Sequence, residues 1–251
     1  MSTPEAELRA RRAGSFGAQA RAYAEHRPDY PDPAIDWVLP PDPVHVLDLA
    51  AGTGKLTQSL VARGLRVTAV EPDPGMRAEL RKRFPGTKAL AGTAEDIPLA
   101  GASVDAVLVG QAFHWFDVPK ALNEIGRVLR PGGALGAMWN LEDERVEWVA
   151  QFEELIRPRV SREWTARNPM PDRHPLFEPF QQQAFDHSFR RTAETLAATV
   201  GTHSHMLVSS DEDRAAVLTR LHAFLESRPE TAGGGEFEVP LRTLVMRTYR
   251  R

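Results

Sequence analysis

Two acidic side chains, Asp48 and Glu71, and the small residues between them are the part of the sequence best suited to bind a ligand. Asp48 lies in the apolar run Val44 to Leu49, which leads into Ala50-Ala51-Gly52-Thr53-Gly54. Glu71 directly follows the next apolar run, Leu65 to Val70. A strand, a tight turn and a helix, followed by an acid after the next strand, are typical of a site for an adenosine-containing ligand. There Glu71 can accept paired hydrogen bonds from the ribose hydroxyls.

The class of ligand depends on the glycine pattern and on the charge beside it. A dinucleotide fingerprint, Gly-x-Gly-x-x-Gly, would begin at Gly52 and Gly54, but its third position holds Thr57. Asp48 would repel a pyrophosphate and attract the amino group of a methionine-like ligand. These residues favour S-adenosylmethionine over NAD. The alternatives are an NAD-linked oxidoreductase and an adenosine-ligand sensor without turnover.

Alternating strands and helices must position these residues. From about Val44 to Trp139, β-rich runs alternate with helical patterns, as the βαβ units of a parallel sheet require. After the first two strands, the predicted strands are Lys88 to Leu90, Val104 to Val109 and Ala134 to Trp139. A helix follows each of the first two strands, and another spans about Pro119 to Leu129.

The sequence on either side of this core predicts helices and two further strands. The helical spacing of Phe16, Ala20 and Tyr23, which ends at Arg27-Pro28-Asp29-Tyr30-Pro31, predicts an amino-terminal helix across the edge of the sheet. The predicted later elements are helices from Glu144 to Ile156, from Thr192 and from Asp211 to Glu226, and strands at Phe185 to Phe189 and Phe237 to Tyr249. We expect one domain, with an arm over residues 1–40, a cofactor-binding core over 44–139 and substrate-shaping elements over 142–251.

Composition excludes several classes of protein. With 42% hydrophobic and 26% charged residues, the 251-residue chain is an ordinary folded protein. A net charge of −3 gives no field that would attract nucleic acid, so a small-molecule partner is expected. The absence of cysteine excludes disulfides and thiolate metal sites. No secretory signal or run of 18 apolar residues is present, so we expect a cytoplasmic protein without a membrane segment.

Four motifs, in this order, resemble class I S-adenosylmethionine-dependent methyltransferases. They are Val46-Leu47-Asp48-Leu49-Ala50-Ala51-Gly52-Thr53-Gly54, Val70-Glu71-Pro72-Asp73-Pro74-Gly75-Met76, Gly92-Thr93-Ala94-Glu95-Asp96-Ile97-Pro98-Leu99 and Leu129-Arg130-Pro131-Gly132-Gly133. Two further segments, Arg27-Pro28-Asp29-Tyr30-Pro31 and Phe113-His114-Trp115-Phe116, resemble the type 11, trans-aconitate-methyltransferase-like branch. The resemblance implies an α/β fold: a Rossmann-like, doubly wound, mostly parallel seven-stranded sheet with helices on both faces.

The resemblance also implies roles for individual residues in binding the cofactor S-adenosylmethionine. Asp48, Ala50 and Gly52, in the turn that Gly54 completes, would face the methionine part, and Glu71 would bind the ribose. The residues implied around the adenine and the sulfonium are Pro72, Met76, Ala94, Glu95, Gln111 and the backbone of Phe113. Thr93 replaces an aspartate that often meets the adenine amino group, which leaves that contact to Glu95 or Asp96.

Aromatic and basic residues are the candidates for the rest of the pocket. Tyr23, Phe113 and Trp115 could stabilise the sulfonium charge through their ring faces. Arg27, with Tyr23 and Tyr30, is expected to close the pocket, and the proposed substrate contacts are Tyr30, Trp115 and His203. His203 and His205 lack a carboxylate at ligand spacing, so no metal site is expected.

His114 is the candidate catalytic group, as a base for an acceptor that must lose a proton. It could instead orient the substrate or simply pack at the edge of the sheet. The sequence therefore predicts methyl transfer from S-adenosylmethionine to a small-molecule oxygen, a carboxylate or a hydroxyl, with S-adenosylhomocysteine as the product. A carboxylate acceptor would need no base.

Overall fold

A computed structural model describes residues 26–156, 173–203, 206 and 209–251. The chain divides into two compact units. One comprises Asp29–Asn140, Asn168–Phe185 and Thr243–Arg251, and the other comprises Met1–Pro28, Leu141–Arg167 and Asp186–Arg242. The expectation of one domain stays a prediction.

The described strands form one seven-stranded sheet in the order β3-β2-β1-β4-β5-β7-β6. The strands are β1 (His45–Leu49), β2 (Arg66–Val70), β3 (Lys88–Leu90), β4 (Val104–Gly110), β5 (Leu129–Glu142), β6 (Gln181–Arg191) and β7 (Phe237–Tyr249). The pairs β1–β2, β1–β4, β2–β3 and β4–β5 are parallel. The predicted fold class, a mostly parallel seven-stranded sheet with helices, is confirmed.

The described helices precede β1 or lie between successive strands, except between β3 and β4. They are α1 (Asp32–Val38), α2 (Lys55–Ala62), α3 (Pro74–Arg83), α4 (Val118–Val128), α5 (Glu147–Ile156), α6 (Ala193–Gly201) and α7 (Asp211–Glu226), with a 3₁₀ turn at Phe113–Trp115. Helix α1 was not predicted. The residues that predict the amino-terminal helix, Phe16, Ala20 and Tyr23, lie outside the described residues.

Each unit has its own apolar core. In the unit that contains β1 to β4, Ile35 and Val38 of α1 join Val46 and Leu108 of the sheet, and all four are fully buried. Strand β1 is buried along its whole length, as a central parallel strand must be when both its faces are covered. In the other unit α5, α6 and α7 enclose a core around Phe152. The ends of β1, β2 and β4 therefore all belong to the first unit.

Candidate cofactor and substrate site

The order of the strands defines a crevice between β1 and β4. The chain runs from β1 outward through β2 to β3, and then returns to β4 on the other side of β1. Ligands of open α/β sheets bind at such a reversal, outside the carboxyl ends of the strands. Ala50 and Gln111 follow β1 and β4 there, and both are left-handed, with φ of 56° and 57°. Such backbone costs a non-glycine residue about 1–3 kcal/mol, and strain of this kind clusters at ligand sites.

The turn after β1 is built from hydrogen bonds to its own backbone and to β2. The Gly54 N–H donates to the Ala51 carbonyl at 2.9 Å, and the Ala51 N–H donates to Val70 at 3.1 Å. Gly54 has a φ of 89°, and a Cβ added there would lie 2.7 Å from Cε2 of Phe84. Glycine is therefore required at position 54, both for the left-handed backbone and for the close packing of Phe84.

Asp48 is buried beside this turn with half of its carboxylate unsatisfied. The Thr57 hydroxyl of α2 donates to Asp48 Oδ2 at 2.5 Å. Oδ1 is also buried and has no hydrogen-bond partner among the described residues. Burial raises the pKa of Asp48 to about 7, although the bond from Thr57 opposes the shift. A buried, unsatisfied carboxylate oxygen is costly, and a nearby cation would lower that cost.

Glu71 is held at the end of β2 by one backbone donor on each oxygen. The Gly52 N–H donates to Oε2 at 2.9 Å, and the Asp73 N–H donates to Oε1 at 2.8 Å. Burial raises the pKa of the carboxyl, and these two bonds oppose the rise. Each carboxylate oxygen can accept more than one hydrogen bond, so the pair is oriented and can still accept from a diol.

The start of α3 brings Met76 to the same turn. Asp73 caps the helix, because its Oδ1 accepts a hydrogen bond from the Met76 N–H at 2.8 Å. A Cβ added at Gly52 would approach the Met76 sulfur at 4.0 Å, and it would meet no other described atom within that distance. Pro72, between Glu71 and Asp73, presents its carbonyl to Arg77 at 3.0 Å. The predicted residues of the first two motifs are thus brought together.

The segment after β3 contains Ala94 and Glu95. Ala94 is buried, and Thr93 and Asp96 on either side of this pair form an isolated antiparallel bridge. Glu95 Oε1 accepts a hydrogen bond from the Asp117 N–H, just before α4, at 2.8 Å. This carboxylate is already engaged with α4, and its role at an adenine stays a prediction.

The segment after β4 is anchored to the end of β5. The Gln111 N–H donates to Met138 at 2.8 Å, and its Nε2 donates to the Asn140 carbonyl at 2.9 Å. Phe113 is fully buried, and its ring lies 5.2 Å from that of Phe116. The Phe113 ring is therefore part of the packed interior in this structure, and only its backbone fits the implied contact.

His114 lies between these two buried aromatic residues and contacts β5. The indole Nε1–H of Trp139 donates to His114 Nδ1 at 3.1 Å. The neighbouring Trp115 ring lies 4.8 Å from the imidazole, at 49° to it, and both residues are half-buried. The histidine is thus held in a defined orientation, four residues after the end of β4.

Tyr30 lies against the end of β4. A Cβ added at Gly110 would be 2.5 Å from the Tyr30 hydroxyl oxygen, so glycine at position 110 lets the ring approach the strand. Asp29, just before it, is tied to the end of β5, because Asn140 Nδ2 donates to the Asp29 carbonyl at 3.1 Å. Tyr30 is thereby placed next to Gln111 at the crevice.

Three predicted site residues belong to the other unit or fall outside the described residues. Arg27 donates from Nη2 to the Thr202 carbonyl at 3.2 Å, so the two segments that carry Arg27 and His203 meet within that unit. Tyr23 and His205 lie outside the described residues. The roles of Arg27 and His203 stay predictions.

Sequence reasoning missed three residues that hold the predicted ones. In the sequence, Thr57 served only as evidence against a dinucleotide fingerprint. In the structure its hydroxyl donates to Asp48. The signal available in the sequence was a hydroxyl side chain at the position of the third glycine. Trp139 and Asn140 gave no signal, because their contacts with His114 and Gln111 join segments 25 and 29 residues apart.

Two other features are absent from the part of the chain that the structure describes. No group of three or more His, Cys, Asp or Glu side chains could hold a metal ion. None of the described helices has the length and apolarity to cross a membrane.

Known proteins are similar to this chain in sequence and in fold. A methyltransferase domain model matches residues 47–137. An uncharacterized methyltransferase of Mycobacterium tuberculosis is 44% identical over 236 residues, which are 93% of this chain and 94% of that protein. The structure of a protein described as a type II methyltransferase of Anaeromyxobacter dehalogenans has a TM-score of 0.61 and 26% identity, and covers 89% of this chain and 96% of that one. A malonyl-[acyl-carrier protein] O-methyltransferase of Methylococcus capsulatus is 41% identical over 103 residues, 39% of this chain and 38% of that protein.

The chain therefore belongs to the methyltransferase family, and it is a class I, S-adenosylmethionine-dependent enzyme. The resemblance read from the sequence motifs is confirmed at this level. The alternatives of an NAD-linked oxidoreductase and of a sensor without turnover are set aside.

Proposed function

We propose that this enzyme binds S-adenosylmethionine at the ends of β1 and β2 and transfers its methyl group to an oxygen of a small-molecule acceptor. In this proposal the methionine part lies against the turn from Ala50 to Gly54, and the ribose binds Glu71. Pro72, Met76, Ala94 and Glu95 are the proposed surroundings of the adenine. Gln111 and the backbone of Phe113 are proposed beside the sulfonium.

The residues of the crevice fit this ligand in charge and in shape. The buried, unpartnered Oδ1 of Asp48 lies beside the turn, where the methionine end would bring a positive charge. Glu71 has both oxygens oriented by backbone donors, as recognition of a diol requires. The space at Gly52 beside the Met76 sulfur leaves room for a ligand against the backbone. These observations, and that of Asp48 above all, carry the assignment of the site.

Methyl transfer needs few catalytic groups from the protein. S-adenosylmethionine, when bound, supplies a methyl carbon already activated by its sulfonium. The protein has to align the acceptor and exclude water. Tyr30 and Trp115 are the aromatic groups that could enclose an acceptor there.

An oxygen acceptor is supported by one relative. The Methylococcus protein described above is named as an O-methyltransferase, and it is 41% identical to this chain over 103 residues. A carboxylate would present an anionic oxygen that needs no deprotonation, whereas a hydroxyl would need a base. We favour a carboxylate, in keeping with the trans-aconitate-methyltransferase-like motifs.

Methyl transfer can be tested with two sets of acceptors. The purified chain is incubated with S-adenosylmethionine labelled in the methyl group and with mono-, di- and tricarboxylic acids, with the matching alcohols as the second set. We expect label in base-labile methyl esters from the acids, and none when the same acids are supplied fully esterified. Transfer only to alcohols or amines would contradict the carboxylate assignment, and failure of calorimetry to detect cofactor binding would contradict the site.

A further inference from the structure

The hydrogen bond between Trp139 and His114 determines which imidazole nitrogen carries the proton. An indole N–H can only donate, so the nitrogen that it meets must offer a lone pair. That nitrogen is Nδ1, at 3.1 Å from Trp139 Nε1. A neutral imidazole has one donor and one acceptor nitrogen, so the proton of His114 is on Nε2.

The surroundings prevent both rings from adopting another arrangement easily. Trp139 lies in the buried stretch of β5 and is only 8% exposed. His114 is the central residue of the 3₁₀ turn, which is closed by the Trp115 N–H donating to Ala112 at 2.8 Å. Buried Phe113 and Phe116 fix the turn on either side of the imidazole. The orientation of the imidazole is therefore part of the fold.

We propose that Trp139 is a positioning residue that keeps the proton of His114 on Nε2, so that His114 acts on the methyl acceptor as a hydrogen-bond donor and not as a base. A general base must present an unprotonated nitrogen to the proton that it removes. In His114 that nitrogen is already occupied by the indole. This inference rests on the proposed function, and it deepens it, because a donor suits an acceptor that already carries an anionic oxygen.

With the proton of His114 on Nε2, the two oxygens of an acceptor carboxylate have different roles. The Nε2–H of His114 donates to one oxygen and fixes the plane of the group. The other oxygen keeps its lone pair for the new bond to the methyl carbon, and the sulfur leaves with the electrons of the broken bond. No proton is transferred, so the reaction balances without a base.

The direct test is the protonation state of the ring nitrogens, measured by ¹⁵N NMR of the full-length, histidine-labelled protein without any acceptor. The His114 signals are assigned by their loss in His114→Gln. We expect an unprotonated Nδ1 and a protonated Nε2 in the wild type, and a shift toward the other tautomer in Trp139→Phe. A protonated Nδ1 in the wild type, or no change in Trp139→Phe, would overturn the proposal. If Trp139→Phe fails to fold, the wild-type spectrum decides alone.

Kinetics separates a donor from a base through a matched pair of variants. Gln at position 114 keeps an N–H donor near the place of Nε2 but cannot act as a base. We expect His114→Ala to lose about tenfold to a hundredfold in kcat/KM, as for loss of one hydrogen bond to a charged group, and His114→Gln to recover most of it. Equal losses of about a hundredfold or more in both variants would indicate a base and refute the proposal.

A double-mutant cycle distinguishes positioning from packing. Trp139→Phe should lower kcat/KM in the wild type and have little effect in the His114→Gln background, because the imidazole that it positions is gone. The same loss in both backgrounds would mean that Trp139 acts only through packing. The NMR result does not depend on any acceptor. A failure to find a carboxylate substrate would therefore contradict the proposed function, whereas the NMR measurement would still test the tautomer of His114.

Discussion

Replacing Asp48 with Asn should change how the stability of the protein depends on pH. The carboxyl of Asp48 is fully buried, and burial raises its pKa from 3.8 to about 7. A raised pKa means that the folded state binds the proton more tightly than the unfolded state, so this contribution to stability is full below pH 3.8 and is lost by pH 7. One pKa unit corresponds to about 1.4 kcal/mol. Between pH 5 and pH 8, the free energy of unfolding of the wild type should fall by about 3 kcal/mol relative to that of Asp48→Asn.

The assay is urea unfolding of both proteins at pH 5, 6, 7 and 8, followed by circular dichroism without cofactor. Asp105→Asn is the matched control. Asp105 also accepts two backbone N–H groups, from Val44 and His45, but it lies at the other end of the strands and its pKa is lowered. Its contribution is lost only as the pH falls below about 4, so the difference from wild type should be flat from pH 5 to pH 8. A flat or rising difference for Asp48→Asn would refute the reasoning about its burial.

Three further substitutions probe the turn and the ribose contact. Glu71→Gln should weaken binding of S-adenosylmethionine by about 10- to 150-fold in calorimetry, the range of a hydrogen bond to a charged group, and Asp105→Asn should leave it unchanged; an unaltered Kd in Glu71→Gln would contradict the ribose assignment. Gly54→Ala should lower the free energy of unfolding by about 2 kcal/mol or more, through its left-handed backbone and the approach to Phe84, and equal urea midpoints would count against it. Ala50→Gly should raise the same free energy by about 0.5–1 kcal/mol, because glycine tolerates a φ of 56°; a loss of stability would show that this backbone is not strained.

The cofactor-binding core could be predicted closely from the sequence because its signals are local. Each parallel strand is an apolar run that ends at a small-residue turn, a proline or an acid, and these boundaries follow from the backbone chemistry of those residues. Strand β3 matches its prediction at both ends, from Lys88 to Leu90. Asp48 and Glu71 could be placed near each other because the carboxyl ends of adjacent parallel strands share one edge of the sheet.

The contacts that orient the site could not be predicted because they join distant segments. Nothing in the sequence pairs Trp139 with His114, or Asn140 with Gln111, since those contacts exist only once β4 and β5 are neighbours. The left-handed backbone of Ala50 was also hidden, because alanine carries no preference for it. Strand β5 begins at Leu129, before its predicted start at Ala134, because Leu129 pairs with Val104 of β4 ahead of an irregularity in the register.

The most direct test of the site is a crystal structure of the full-length protein with S-adenosylhomocysteine. We expect both ribose hydroxyls on the carboxylate of Glu71, and the amino group of the ligand at the turn that follows Asp48. A nucleoside bound anywhere but at the ends of β1 and β2, or a Glu71 side chain turned away from the ribose, would contradict it.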